Sequence, residues 1–283
     1  MRPPKLPQQI RDLSKKLACG RSLAEQFDDV RAYGNQAASP VLRMGILAAH
    51  GIVRPKETAA NGIFFGCYRP FTTPFLLRDA LALLDRLGVD YTWFDKEYCC
   101  GLPMLGDAPD EEYPAAVAAA REFAEKNAEL AKGKGAERIV SCCAGCVQVA
   151  RGARPEAKAE HAYILDLILD HMASRPLRVA PLSVGYFEGC HTGYAPLFPQ
   201  AGLDWPRYRA FLDGVQGLAV TDLTGMCCKR DPGKIIAKAR ELGLSALVCP
   251  CSGCVSTLSV TGRGQIDVLS YAELLLRALG GAS

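Results

Sequence analysis

The feature that most constrains this chain is a cysteine pattern that occurs twice, each cysteine group falling just after a short apolar run. In the first copy, Gly62-Ile-Phe-Phe leads to Gly66-Cys67, residues 89–94 lead to Cys99-Cys100-Gly101, and Arg138-Ile-Val-Ser141 ends at Cys142-Cys143-Ala-Gly-Cys146. In the second, residues 182–187 lead to Gly189-Cys190, residues 218–223 to Cys227-Cys228, and residues 244–248 to Cys249-Pro-Cys251-Ser-Gly-Cys254. Phe64-x-Gly-Cys67 is echoed by Phe187-x-Gly-Cys190. Corresponding cysteines are offset by 123, 128 and 108 residues, so the copies agree until after the adjacent pair, where the second is about 20 residues shorter. An internal duplication predicts two similar folding units.

Between the apolar runs lie helical patterns. Thr73-Pro74 opens a helix carrying Leu76, Leu77, Leu81, Leu84 and Leu87, and Gly88 stops it. An alanine-rich helix is predicted over residues 112–132 and another over 233–242. Short strands alternating with helices predict an α/β fold with parallel sheets. The expected architecture is two tandem, pseudo-symmetric, Rossmann-like cysteine-rich units over residues 62–180 and 181–283, behind a helical N-terminal arm over 1–61. In that arm Ser22-Leu-Ala-Glu25 forms a capping box, Leu23, Phe27 and Val30 share a face, and a second helix follows over 41–49. The arm is read as a covering or docking element without chemistry, and Cys19 within it as incidental. Its start is basic, with Arg2, Lys5, Arg11, Lys15, Lys16 and Arg21 against Asp12.

Composition removes several function classes. A net charge of +3 is too small to argue for nucleic acid. No stretch reaches the roughly 18 apolar residues of a spanning helix, and no apolar signal core follows the N-terminus, so direct membrane insertion is not expected and the cytoplasm is. Thirteen cysteines, an odd number, cannot all pair. Clustered cysteines without a secretory signal more often bind metal than form bridges.

Each copy offers five cysteines in the order Cys, Cys-Cys, Cys-x-x-Cys. In the first, 31 residues separate Cys67 from Cys99 and 42 separate Cys100 from Cys143; in the second, 36 separate Cys190 from Cys227 and 22 separate Cys228 from Cys251. The carboxyl ends of parallel strands would gather them in one crevice. Thiolates so concentrated suit iron–sulfur clusters or zinc, and five with an adjacent pair suggest a polynuclear centre.

This pattern resembles the duplicated cysteine-rich domain found in the B subunit of heterodisulfide reductase, over roughly residues 62–283. The resemblance implies two [4Fe–4S] clusters of non-cubane type, one on Cys67, Cys99, Cys100, Cys143 and Cys146, the other on Cys190, Cys227, Cys228, Cys251 and Cys254. It implies a disulfide substrate split by one-electron steps between the clusters, or two thiols oxidised in reverse. It also implies partners, a ferredoxin-like protein similar to the C subunit of that family and a flavin-bearing protein similar to its A subunit, since this chain has neither a clustered ferredoxin signature nor a nucleotide fingerprint. Related modules in glycolate- or lactate-oxidising and quinone-linked complexes leave an alternative, a non-catalytic electron-transfer role within such a complex.

The second copy departs from the pattern. It reads Cys-Cys-Lys229 where the first has Cys-Cys-Gly101, so its centre is either iron–sulfur, an altered cluster, or zinc. Glycine at that position is expected to turn the backbone so that peptide N–H groups approach sulfur. Lys229 either raises the potential of the second cluster and holds an anionic group, or points to solvent. His191 either delivers a proton to a leaving thiolate or hydrogen-bonds beside the cluster. Arg69 and Arg230, also close to cysteines, either clamp an anionic substrate or are solvated. Cys142 and Cys249 read as extra buried thiols; His50, His161 and His171 have no assigned role.

Overall fold

The structure is a computed structural model describing residues 15, 18–35, 40–53, 55–173, 175–189 and 202–280. Two compact units divide the chain. The first combines the described residues up to Pro74 with Asp90–Leu167 and the described residues 202 and 203; the second combines Phe75–Val89 with the described residues of 168–189 and those from Asp204 on.

In the first unit, α1 (Leu23–Tyr33) and α2 (Pro40–Ala49) precede β1 (Asn61–Phe64) and the short α3 (Arg69–Thr72). The capping box at Ser22 and Glu25 is formed, and Gly34 ends α1 at φ +80°. The next helix in sequence, α4 (Pro74–Leu87), belongs to the second unit apart from its first residue. The first unit resumes with β2 (Tyr91–Trp93), α5 (Leu102–Asp107), α6 (Tyr113–Gly133), β3 (Arg138–Ser141), α7 (Ala144–Ala153), a 3-10 turn and β4 (His161–Tyr163). Its sheet has the order β2-β1-β3-β4, all parallel. β1 is buried along its whole length, as a strand covered on both faces must be.

The second unit holds the end of α8 (Ile164–Met172), then β5 (Arg178–Tyr186), α9 (Trp205–Leu212), β6 (Gln216–Asp222), α10 (Pro232–Glu241), β7 (Ala246–Cys249), α11 (Ser252–Thr261), β8 (Asp267–Ser270) and α12 (Tyr271–Gly280). Its sheet runs β6-β5-β7-β8, again parallel. Leu76 of α4 joins a core with Phe187, Leu223, Ile235, Leu247 and Leu258. The two strand orders are the same when β1 is matched to β5, so the α/β duplication expected from the cysteines is present in the topology. The strand at 138–141 falls where expected, whereas β4 and β8, only three and four residues long, complete each sheet beyond the runs read from sequence.

Among the described residues no helix is long and apolar enough to cross a membrane.

Candidate metal centre

In the first unit every candidate cysteine sits at the carboxyl end of a parallel strand. Cys67 follows β1, Cys99 and Cys100 follow β2, and Cys143 follows β3 as the N-cap of α7, with Cys146 in that helix's first turn. The five sulfurs form a continuous string. Cys99 Sγ donates to Cys67 Sγ at 3.1 Å, Cys100 contacts both Cys99 and Cys146, and Cys146 contacts Cys143. Among the described residues no group of three or more His, Cys, Asp or Glu converges on a point that would hold a single metal ion.

The string is electrostatically uneven. Cys100 is held well below the usual thiol range because it accepts hydrogen bonds from the Cys146 and Cys99 thiols and from the Leu102 N–H. Donation to Cys100 pushes Cys99 and Cys146 up. The Leu102 contact depends on Gly101, which turns at φ +90° and packs so tightly on α6 that a Cβ there would lie 2.8 Å from Ala120 Cβ. The glycine therefore supplies both the left-handed turn and the close approach expected of it. Cys142, outside the string, is a neutral thiol, pushed up to about 12 by burial.

Residues that bear no sulfur brace this arrangement. Glu97, buried between β2 and Cys99, accepts the Phe65 and Gly66 N–H groups at 2.8 Å each, fixing the backbone that delivers Cys67. Burial pushes its carboxyl up, against the pull of Arg43. Arg43, on α2 and 4% exposed, lies 3.0 Å from Glu97 Oε1 through Nη2. Its Nη1 donates to the Phe94 and Asp95 carbonyls at 2.8 and 2.9 Å. Asn127 of α6 grips Tyr98 from both sides, Oδ1 accepting its N–H at 2.8 Å and Nδ2 donating to its carbonyl at 2.7 Å. The Cys99 N–H donates to the Gly34 carbonyl at 2.7 Å. The segment read as a covering arm thus supplies a buried cation and a carbonyl anchor to the cysteine loops. The available signal was a lone arginine in the apolar run of residues 41–49 and a lone asparagine in an alanine-rich helix.

Behind the string is a cavity of about 10 Å³, lined by Cys100, Cys146, Ser141, Asn127 and His161 among others, which is room for about one water. His161 is 2% exposed, both ring nitrogens lack a hydrogen-bond partner, and burial lowers its pKa to about 4.

The second unit repeats part of this geometry. Gly189 turns at φ +89° as Gly66 does at +84°, and Cys251 caps α11 as Cys143 caps α7. Cys254 contacts Cys228 and Cys251, and Cys227 is buried beside them in sequence. Burial pushes Cys249 up, well above the usual thiol range. The adjacent-pair turn differs: the Cys227 carbonyl accepts the Arg230 and Asp231 N–H groups, and Lys229 reaches out to Thr257 Oγ1 at 2.6 Å in an exposed position. Arg230 is exposed beside Asp231, 3.9 Å away. Cys190 and His191 lie outside the described residues.

The CCG cysteine-rich domain matches residues 62–149, the stretch that carries the five-sulfur string. The match covers about a third of the chain. Its relatives include the C subunit of anaerobic glycerol-3-phosphate dehydrogenase from Escherichia coli K12, 26% identical over 180 residues, 58% of this chain and 42% of that one. The D subunit of dihydromethanophenazine:CoB–CoM heterodisulfide reductase from Methanosarcina mazei is 26% identical over 165 residues, 54% of this chain and 38% of that one. An uncharacterized iron–sulfur protein of Methanocaldococcus jannaschii is 22% identical over 248 residues, 79% of this chain and 47% of that one. The likeness to heterodisulfide reductase subunits read from the cysteine pattern is borne out. The chain spans less than half the length of these relatives.

Proposed function

We propose that this protein is an iron–sulfur subunit of an oxidoreductase complex, and that its reaction is the reduction of a disulfide or the reverse oxidation of two thiols. The observation that carries the reading is the string of five sulfurs in the first unit. Five contiguous thiols, one of them already biased to thiolate, suit a polynuclear sulfur-ligated centre better than a single tetrahedral ion. Cys67, Cys99, Cys100, Cys143 and Cys146 would hold one [4Fe–4S] cluster, and Cys190, Cys227, Cys228, Cys251 and Cys254 a second. Such clusters supply one-electron steps at low potential. The chain's own residues shape the site: Glu97, Arg43 and Asn127 position the loops, and the turn at Gly101 presents an N–H to sulfur.

Cleaving a disulfide takes two electrons and two protons and yields two thiols. The electrons would come from partner proteins, ferredoxin-like and flavin-bearing, in a cytoplasmic complex; His191 would serve as the proton donor to a leaving thiolate and Lys229 would hold an anionic group. The likeness to part of a glycerol-3-phosphate dehydrogenase supports a second reading, in which the same centres pass electrons without binding a disulfide.

Anaerobically prepared protein should be brown and contain iron and acid-labile sulfide. Cys100→Ser should lose iron, because a hard alkoxide replaces thiolate poorly. Cys19→Ser, at an exposed thiol outside the string, should not. Stoichiometric zinc in place of iron would refute the reading. Turnover of disulfides with a strong one-electron donor separates the two reactions.

A further inference from the structure

We infer that the cavity behind the string is a site for one ordered water, and that His161 is the residue that keeps this water against Cys100 and Cys146. The site goes beyond the electron-transfer reading and holds whatever the sulfurs bind. Every residue that lines the cavity is buried, with Ser141 only 1% exposed. The main chain of His161 is fixed on both sides: it opens β4 in register with Ile139 of β3, and its carbonyl accepts Arg151 Nε at 2.9 Å. Yet among the described residues neither of its buried ring nitrogens has a hydrogen-bond partner.

A neutral imidazole carries one N–H donor and one bare acceptor nitrogen. Burying both unmade is costly, and native folds meet that demand with a protein group or an ordered water. At about 10 Å³ the cavity admits one water and nothing larger. An apolar hole of that kind stays dry, but this one is lined on several sides by polar side chains. Beside the imidazole stand Ser141 and Asn127, whose Nδ2 gives one hydrogen to the Tyr98 carbonyl and carries a second. Cys100 and Cys146 complete the polar wall. A buried water needs two to four polar partners, and the imidazole with any of these supplies them. With two donors and two acceptor sites, the water can satisfy a ring nitrogen and still donate to sulfur, a weak acceptor.

The direct test is a crystal structure of the full-length, anaerobically prepared protein at a resolution that shows waters. One water should lie within hydrogen-bond distance of a His161 ring nitrogen and of a second polar atom in the cavity wall. An empty cavity, or protein groups bonded to both ring nitrogens, overturns the inference. A second test fills the cavity. Ala124→Val adds two methyl groups to its wall. In a dry cavity they would raise the folding equilibrium constant; where they evict a water and leave the imidazole unpaired, they should lower it by at least about fivefold. In a His161→Phe background no ring nitrogen is left unpaired, so the same substitution should cost at least about threefold less. Overpacking acts alike in both backgrounds and cancels in the cycle. A smaller difference, or an Ala124→Val protein more stable than wild type, overturns the inference. Where His161→Phe does not fold, the wild-type crystal structure alone decides. Iron enters none of these readouts, so failure of the cluster reading leaves them standing.

Discussion

Replacing Arg43 tests whether the N-terminal helices are part of the sulfur site. Arg43→Met removes the cation but keeps an unbranched apolar side chain in a position that is 4% exposed. It leaves Glu97, also buried, without its ion partner, and the Phe94 and Asp95 carbonyls without their donor. Breaking a buried pair by removing one member costs about 3–5 kcal/mol, more than the ~1 kcal/mol of a surface pair. With a urea slope of about 1–3 kcal/mol per molar, the unfolding midpoint should fall by at least ~1 M. Trp93, stacked on Phe65 at 5.4 Å, reports the first unit, and a Trp205→Phe background removes the second unit's tryptophan. Glu97→Gln should cost a comparable amount, whereas the double variant removes both charges and should recover about 2 kcal/mol or more of the summed loss. Iron in the first centre should fall in step, because Glu97 holds the backbone that presents Cys67. Two singles that add, or an Arg43→Met cost below about 1 kcal/mol, would show that the pair does not brace the site.

Gly101→Ala, at φ +90° and facing Ala120 at 2.8 Å, should destabilise the first unit by about 1–3 kcal/mol and lower its iron content. Gly133→Ala, near the end of α6 with nothing within 4 Å, should be neutral or slightly stabilising, and equal effects in urea melts would rule out the turn as the cause. His161 has a folded pKa of about 4 against an unfolded value near 6.5, so between those pH values the unfolded chain binds the proton that the folded chain refuses. Stability from this residue is intact above pH ~6.5 and lost as pH falls towards 4, about 3 kcal/mol in all; His161→Leu should flatten the profile, and parallel profiles would exclude the effect.

What could be read in the sequence was whatever repeats at short range. The Phe-x-Gly-Cys echo, the capping box at Ser22 and the strand over 138–141 are local patterns, and each is formed as read. The bracing was unreadable because it is long-range: Arg43 and Glu97 are 54 positions apart, and Asn127 reaches Tyr98 across 29. Arg69 shows a different limit. Its nearness to Cys67 is plain in the sequence, but whether a nearby arginine is solvated or buried depends on how α3 packs, and here it is buried. β4 escaped notice because three residues are too few to display alternation.

Among the described residues the two halves differ at the turn of the adjacent cysteine pair, and that turn reaches the chemistry. Both place a left-handed glycine before the first cysteine and both cap a ten-residue helix with the first cysteine of Cys-x-x-Cys. At the adjacent pair, Gly101 bends left-handed and the Leu102 N–H meets Cys100 sulfur, while at Lys229 the chain takes a turn whose N–H groups return to the Cys227 carbonyl instead. A peptide N–H spent on a carbonyl is not available to sulfur. N–H donation lowers the electron density on a thiolate and favours the reduced form of a cluster, just as a buried cation does. In the first unit the Gly101 turn sends that N–H to the Cys100 sulfur.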